Sequence, residues 1–221
     1  MKKLLITIDG PAGAGKTTVS RALAERLGYR YIDTGALYRG VAYEVSLRGI
    51  DPENDNELRD LCQQLRLDFV TNEKGTCLYS DKKDISDQIR TPEISMLASA
   101  VSAKSAVRQY LLEVQWNMGL QKAAVFEGRD MGTVVFPHAD IKFFLDASPE
   151  IRALRRFRES DAESGQSLEE VQKDMQQRDT HDSTRRLAPL KPADDAIRID
   201  SSGLSVEKVV DLMLSYVEQC Q

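Results

Sequence analysis

Between Gly10 and Thr18 the chain reads GPAGAGKTT, so that Gly10, Gly15, Lys16 and Thr17 satisfy the spacing G-x-x-x-x-G-K-[ST]. Glycine and alanine fill five of the seven positions from Gly10 to Lys16. Small residues let successive backbone amides turn toward one concavity, and a helix N-terminus adds positive potential there, which suits phosphate oxygens. A lysine closing such a loop reaches the β and γ phosphates of a nucleotide, and the hydroxyl after it sits on Mg2+. Gly10, Pro11, Ala12, Gly13, Ala14, Gly15, Lys16, Thr17 and Thr18 are therefore expected to cradle the phosphates of a donor, with Lys16 catalytic and Thr17 the metal ligand.

A second group of residues stands far along the chain. Between Glu150 and Lys191 there are seven arginines, Arg152, Arg155, Arg156, Arg158, Arg178, Arg185 and Arg186, against one lysine, Lys173. A planar guanidinium holds phosphate at two points, which an ammonium cannot do. Most of these arginines read as a solvated helical face balanced by Glu159, Asp161, Glu163, Glu169 and Glu170. Arg178, Asp182 and Arg185 differ, because spacings of four and three residues put them on one side of a helix that could close over phosphates as a lid. The polar run Ser160 to Ser167, with Gly165, is expected to be the mobile edge of that lid. No general base stands out. None is required when the acceptor is itself a phosphate anion, since positioning and charge neutralisation then supply most of the catalysis.

These groups need a frame, and the apolar pattern supplies one. Lys3 to Ile8 reads as a buried strand entering the loop, and Val19, Ala22, Leu23 and Leu27 recur at helical spacing after it. Further strands are expected at Tyr29 to Ile32, Ala123 to Phe126, Ile141 to Leu145 and Ala196 to Ile199. Helices are expected from Ala36 to Leu47, from Thr91 toward Met118, after Ser148-Pro149, after the capping box Ser167 to Glu170, and over Val206 to Val217. Asp51 to Asp87 changes character: a short helical piece (Leu58, Leu61, Leu65) leads to strand-like runs Leu67 to Val70 and Thr76 to Tyr79 on either side of Asn72-Glu73-Lys74-Gly75, an inserted flap. Strands alternating with helices point to an α/β fold with a mostly parallel sheet covered on both faces. Trp116 reads as core, and His138 and His181 as surface residues.

Composition narrows the class. A chain of 221 residues, 41% hydrophobic and 29% charged, can bury one sizeable core. A net charge of -5 and a pI near 5.2 argue against a broad footprint for a nucleic-acid polymer or an anionic membrane. Cys62, Cys77 and Cys220 form no C-x-x-C, so neither a disulfide framework nor a zinc site is indicated. The apolar run of MKKLLITIDG breaks at Asp9, too soon for a signal peptide. A cytoplasmic protein without membrane association, most simply a monomer, is the expectation.

A phosphate loop alone does not name a reaction, because switches, motors and small-molecule kinases share it. A regulatory GTPase should carry an N-K-x-D base reader, and the chain has no N-K dipeptide. The run Ile141 to Asp146, IKFFLD, could be the acidic strand of a large ATPase, although its place along the chain suits a structural strand. What remains is a kinase whose acceptor is named elsewhere.

Six stretches carry a family resemblance: GPAGAGKTT (Gly10 to Thr18), DTGALYR (Asp33 to Arg39), IRTPEI (Ile89 to Ile94), EGRDMGTVVFP (Glu127 to Pro137), FLDAS (Phe144 to Ser148) and RDTHDSTRRLAPL (Arg178 to Leu190). In these the chain resembles the bacterial cytidylate kinases over essentially its whole length. The resemblance implies a P-loop kinase core with a parallel five-stranded sheet flanked by helices, an inserted monophosphate-binding flap and a short lid. Its boundaries would be core 1–33, 89–155 and 190–221, monophosphate-binding region 34–88 and lid 156–189. It implies transfer of the γ-phosphate of ATP to CMP or dCMP with Mg2+, and Lys16, Arg129, Arg178 and Arg185 as the catalytic cations. Thr34, Tyr38, Arg39 and Arg129 would surround the CMP phosphate and sugar. Ser99, Arg108 and Asp130 would face cytosine, whose exocyclic amine suits Asp130 and whose ring acceptors suit Arg108. Asp182 would accept from a sugar hydroxyl, with Arg185 beside it. A kinase for UMP or for a non-nucleotide acid is the alternative on the same fold. His181, Ser183 and Thr184 stand where relatives often carry charged or amide residues, which implies a weaker phosphate grip in the lid.

Overall fold

The computed structural model describes residues 2–72, 75–159 and 166–220. They form two compact units, Met1–Asp33 with Gly119–Gln221, and Thr34–Met118. Most of the run expected as a lid edge, 160–165, and the Glu73-Lys74 turn lie outside the described residues.

Numbered along the chain, the first unit holds strands β1 (Leu5–Asp9), β2 (Arg30–Asp33), β6 (Ala124–Gly128), β7 (Ile141–Asp146) and β8 (Ile197–Asp200). They make one sheet in the order β2-β6-β1-β7-β8. Each pairing is parallel, with Ile6 opposite both Val125 and Ile141. Leu4, Ile6 and Ile8 are fully buried, as a central strand with covered faces requires. Helices α1 (Lys16–Leu27), α6 (Pro149–Glu159), α7 (Leu168–Thr184) and α8 (Val206–Gln219) belong to this unit. Helix α8 turns Val209, Val210, Met213 and Val217 into the same core as Ile6, Val125 and Phe143, and leaves Leu212 outward. At the start of α7 the Ser167 side chain accepts from the Glu170 amide while Glu170 accepts from the Ser167 amide, the capping box expected there. Ligands of parallel α/β sheets meet the carboxyl ends of the strands, and the loop after β1 leaves from that end.

The second unit packs α2 (Thr34–Leu47), α3 (Asp55–Gln64), α4 (Pro92–Val101) and α5 (Ser105–Gly119) with a small antiparallel sheet, β3 (Leu67–Asn72), β4 (Gly75–Ser80) and β5 (Lys83–Asp84). Its core joins Leu37, Val41 and Val45 of α2 to Leu58, Leu78 and Leu111. Three features differ from the sequence reading. The helical pattern from Thr91 toward Met118 breaks after Val101, where Ser102 caps α4 and Arg108 Nη1 donates to the Ser102 carbonyl at 3.2 Å. A helix that ends needs partners for its last carbonyls, and the arginine of the next helix supplies one. In addition α4 packs on α2, so residues 89–118, allotted to the core by the sequence, fall in the second unit. Trp116, expected in the core, is 48% exposed.

Candidate active site

The loop after β1 is shaped by what its glycines stand against. A Cβ on Gly10 would lie 1.9 Å from the Leu145 carbonyl oxygen, so no other residue fits where β1 passes β7. Gly13 sits at φ +72°, and a Cβ there would meet the Arg152 carbonyl and the Met175 methyl at 2.8 Å each. Helix α1 begins after Gly15 without a side-chain cap, which leaves its first amides for a ligand. Lys16 is buried, and its Nζ donates to the Pro11 carbonyl at 2.7 Å. Burial, reinforced by Arg129 and by Arg178, pushes its ammonium well below the usual lysine range, against the pull of Glu127 and Asp9. Two arginines therefore bear on Lys16 beside this loop, a potential that a polyphosphate would relieve.

Beside Thr17 lies a carboxylate that the sequence reading left without a role. Glu127, near the end of β6, accepts the Thr17 hydroxyl at 2.9 Å and the Tyr31 hydroxyl at 2.8 Å. Burial raises its carboxyl, Asp33 adds to that, and Lys16 opposes it. The same burial, with Asp33 and Glu127 close by, holds the Tyr31 phenol protonated far above its ordinary range. A hydroxyl and a carboxylate are the hard oxygen donors that Mg2+ takes, so Thr17 and Glu127 fit the metal expected with ATP. No cluster of three or more His, Cys, Asp or Glu able to hold a metal occurs among the described residues. Asp146, the other acid considered for this place, is exposed on β7 and accepts its neighbour's amide, Ala147 N, at 2.8 Å. Of these two acids, Glu127 of β6 is thus the one in contact with Thr17.

The segment after β6 is tied to the start of the loop. Asp9 accepts the Met131 amide at 2.8 Å and the Gly132 amide at 2.7 Å, holding the π-helical turn Met131–Val135 and the Arg129-Asp130 pair before it. Burial pushes its carboxyl up to about 6, although both amides lower it. Arg129 Nε donates to Asp182 at 3.2 Å, and Arg185 Nη2 lies 3.5 Å from Asp130 and its Nη1 3.9 Å from Asp182. Four of the expected substrate residues, Arg129, Asp130, Asp182 and Arg185, are therefore brought into one ion-pair network, in which the side chains of Asp130, Asp182 and Arg185 are buried and Arg129 is half-buried. Arg185 caps α7 rather than continuing it, yet remains on the side of Asp182.

The other expected acceptor residues belong to the second unit. Thr34 is buried at the first turn of α2, and Tyr38 and Arg39 follow on the same helix. Arg108 stacks over the Tyr38 ring at 5.8 Å and donates to the Ser102 carbonyl, while the Ser102 hydroxyl donates to the Ser99 carbonyl at 2.7 Å. Tyr38, Arg108 and the Ser99-Ser102 turn are thus linked by these contacts.

The cytidylate kinase family model matches residues 6–219. The chain belongs to the cytidylate kinase family. It is 50% identical over 218 residues to a cytidylate kinase of Geobacter sulfurreducens, covering 98% of this chain and 93% of that one. A cytidylate kinase of Clostridioides difficile is 43% identical, covering 98% and 99%. Among solved structures, an uncharacterized protein from Eubacterium ventriosum superposes with a TM-score of 0.51 at 12% identity, covering 98% of this chain and 99% of that one, a likeness in fold alone.

As a member of the cytidylate kinase family the chain is a phosphotransferase on a P-loop α/β fold, with no described helix long and apolar enough to cross a membrane. The residues missed from sequence are those that hold others: Glu127 and Asp9, both buried acids at strand ends, and Arg152, read as part of a solvated face but buried. Their position was the available signal, since Asp9 and Glu127 each close an apolar strand run.

Proposed function

We propose that the chain phosphorylates CMP or dCMP with ATP, and that the cations around its phosphate loop carry the transfer. The observation that carries this is the phosphate loop in a chain of the cytidylate kinase family: Lys16 is buried at its end on the Pro11 carbonyl, and α1 starts without a side-chain cap. Lys16 exchanges the Pro11 carbonyl for oxygens of the β and γ phosphates. The amides at the start of α1 hold the donor, and Arg129, Arg178 and Arg185 neutralise the charge that spreads over the equatorial oxygens during transfer. Mg2+ would be held by the Thr17 hydroxyl with Glu127 beside it, and would supply charge neutralisation for the phosphates of the donor. No side chain need remove a proton, because the attacking oxygen belongs to a phosphate anion.

For the acceptor, we assign Thr34, Tyr38 and Arg39 with Arg129 to the monophosphate and sugar, and Ser99, Arg108 and Asp130 to cytosine. Asp182 takes a sugar hydroxyl. Asp130 and Asp182 now pair with Arg185 and Arg129, so binding trades internal ion pairs for bonds to nucleotide.

A coupled assay with ATP against CMP, dCMP, UMP, AMP and shikimate tests this. Fast turnover is expected on CMP or dCMP. Turnover on UMP with none on CMP would sink the cytosine assignment.

A further inference from the structure

Arg152 of α6 is buried, and its guanidinium is spent on three partners. Nε donates to the Ala147 carbonyl at 3.0 Å, while Nη1 donates to the Ala12 carbonyl at 3.1 Å and to Asp179 Oδ2 of α7 at 2.5 Å. Ala12 lies in the middle of the phosphate loop, and Asp179 follows Arg178 directly. At the next loop residue, Gly13 is packed so closely on the Arg152 backbone and the Met175 methyl of α7 that no side chain fits. One guanidinium thus ties the loop to both helices.

In a trans peptide the carbonyl of one residue and the amide N–H of the next point in opposite directions. Pinning the Ala12 carbonyl onto Arg152 therefore aims the Gly13 N–H the other way, toward the concavity that receives phosphate. Were that peptide to turn over, a carbonyl oxygen would face the anion in place of an amide. We infer that Arg152 and Asp179 form a positioning pair that locks the Ala12-Gly13 peptide for the donor phosphates and fixes the loop to the helix that carries Arg178. The pair touches no substrate. Its action rests on the reading that this loop holds the phosphates of ATP.

The sign of one substitution separates positioning from bulk electrostatics. Asp179→Ala removes a negative charge beside Arg178, so a purely electrostatic role makes ATP bind more tightly. A positioning role makes it bind more weakly, by about tenfold, because Arg152 loses the partner that orients it. Arg152→Lys keeps the charge but cannot serve the same partners from one planar group, and has a similar effect. The measurement is the Kd for ATP with Mg2+ by calorimetry without any acceptor, with melting temperature and amide exchange of residues 12–16 recorded for each variant. Its outcome does not depend on which monophosphate the enzyme phosphorylates.

Weaker ATP binding together with faster exchange of the loop amides is expected in both variants, with Asp179→Asn restoring part of the loss. Tighter or unchanged ATP binding in Asp179→Ala overturns the pair, and so does weaker binding with unchanged exchange in the loop. Should Asp179→Ala melt early, Asp179→Asn at intact stability carries the same sign test. A parent enzyme that fails to phosphorylate CMP yet shows these shifts would overturn the proposed acceptor and leave the pair standing.

Discussion

The donor loop and the acceptor residues of the second unit are built by opposite means. At the loop after β1 the design lies in backbone direction: Gly10 and Gly13 have no room for a Cβ, and the loop carbonyls of Pro11, Ala12 and Ala14 are taken by Lys16, Arg152 and Ser201. Arg155 in turn holds Ser201 through both its hydroxyl and its carbonyl. In the second unit the residues assigned to the acceptor come from three helices and are joined by one stacking contact and two hydrogen bonds to carbonyls. A phosphate is the same in every nucleotide and can be met by a fixed cage of amides. A base must be told from other bases, which takes side chains.

Under that division, Lys16→Ala is the variant that breaks the donor side most. Removing the one lysine of the cage should lower kcat by about two to three orders of magnitude, as losing a preorganised transition-state donor does elsewhere, with the KM for CMP nearly unchanged. Steady-state kinetics in both substrates checks it. An equal rise in the KM for CMP would mean that donor and acceptor are not separately held.

Asp130→Ala is the counterpart on the acceptor. Loss of the group assigned to the cytosine amine should raise the KM for CMP by about 10- to 100-fold with the KM for ATP within about twofold. Asp130 also lies beside buried Arg185, so the variant should melt lower than the parent, and kinetics belong well below that melting temperature. Comparable losses for ATP would move Asp130 to the metal.

Whether a role is legible in the sequence depends on whether it shows in spacing. The loop and its helix follow from residues adjacent along the chain, and the parallel sheet from alternating apolar runs, so both can be read from the amino acids alone. Among the residues assigned to the acceptor, Ser99 and Arg108 carry no local motif. Ser99 and Arg108 are ordinary helix positions until α4 ends at Val101 and Arg108 turns back onto Ser102. That break also escapes the periodicity, because Ser102-Ala103-Lys104 holds neither glycine nor proline. Glu127 and Arg152 are missed for one shared reason: charge is ordinarily assigned to solvent, whereas both are buried against the loop.

Asp9 bears on the comparison because it closes β1 at the donor loop and holds the amides after Asp130. Its folded pKa, about 6, exceeds the ordinary value of 3.8. The folded state therefore keeps a proton that the unfolded chain releases. The resulting stabilisation is full below the unfolded pKa and is lost as pH rises through the folded one. Asp9→Asn does not titrate. The stability of the parent relative to this variant should fall by about 2 kcal/mol between about pH 4.5 and pH 7, measured by urea unfolding at each pH. A difference that stays flat with pH would show that the carboxylate is already ionised throughout.

Glu127→Gln is expected to have the smallest effect and to sharpen the donor side. The amide keeps an oxygen for the Thr17 and Tyr31 hydroxyls, so the loop should stay in place and the melting temperature should change little. What it removes is negative charge next to the hydroxyl assigned to Mg2+. Loss of such a supporting group typically weakens metal binding by about tenfold or more. The Mg2+ concentration for half-maximal rate should rise by about that factor while kcat at saturating Mg2+ stays within a few-fold. A loss of kcat that excess Mg2+ does not restore would place Glu127 on the reacting phosphates instead. The donor cage would then act through a side-chain carboxylate as well as through amides and cations, and the contrast with the acceptor residues would narrow.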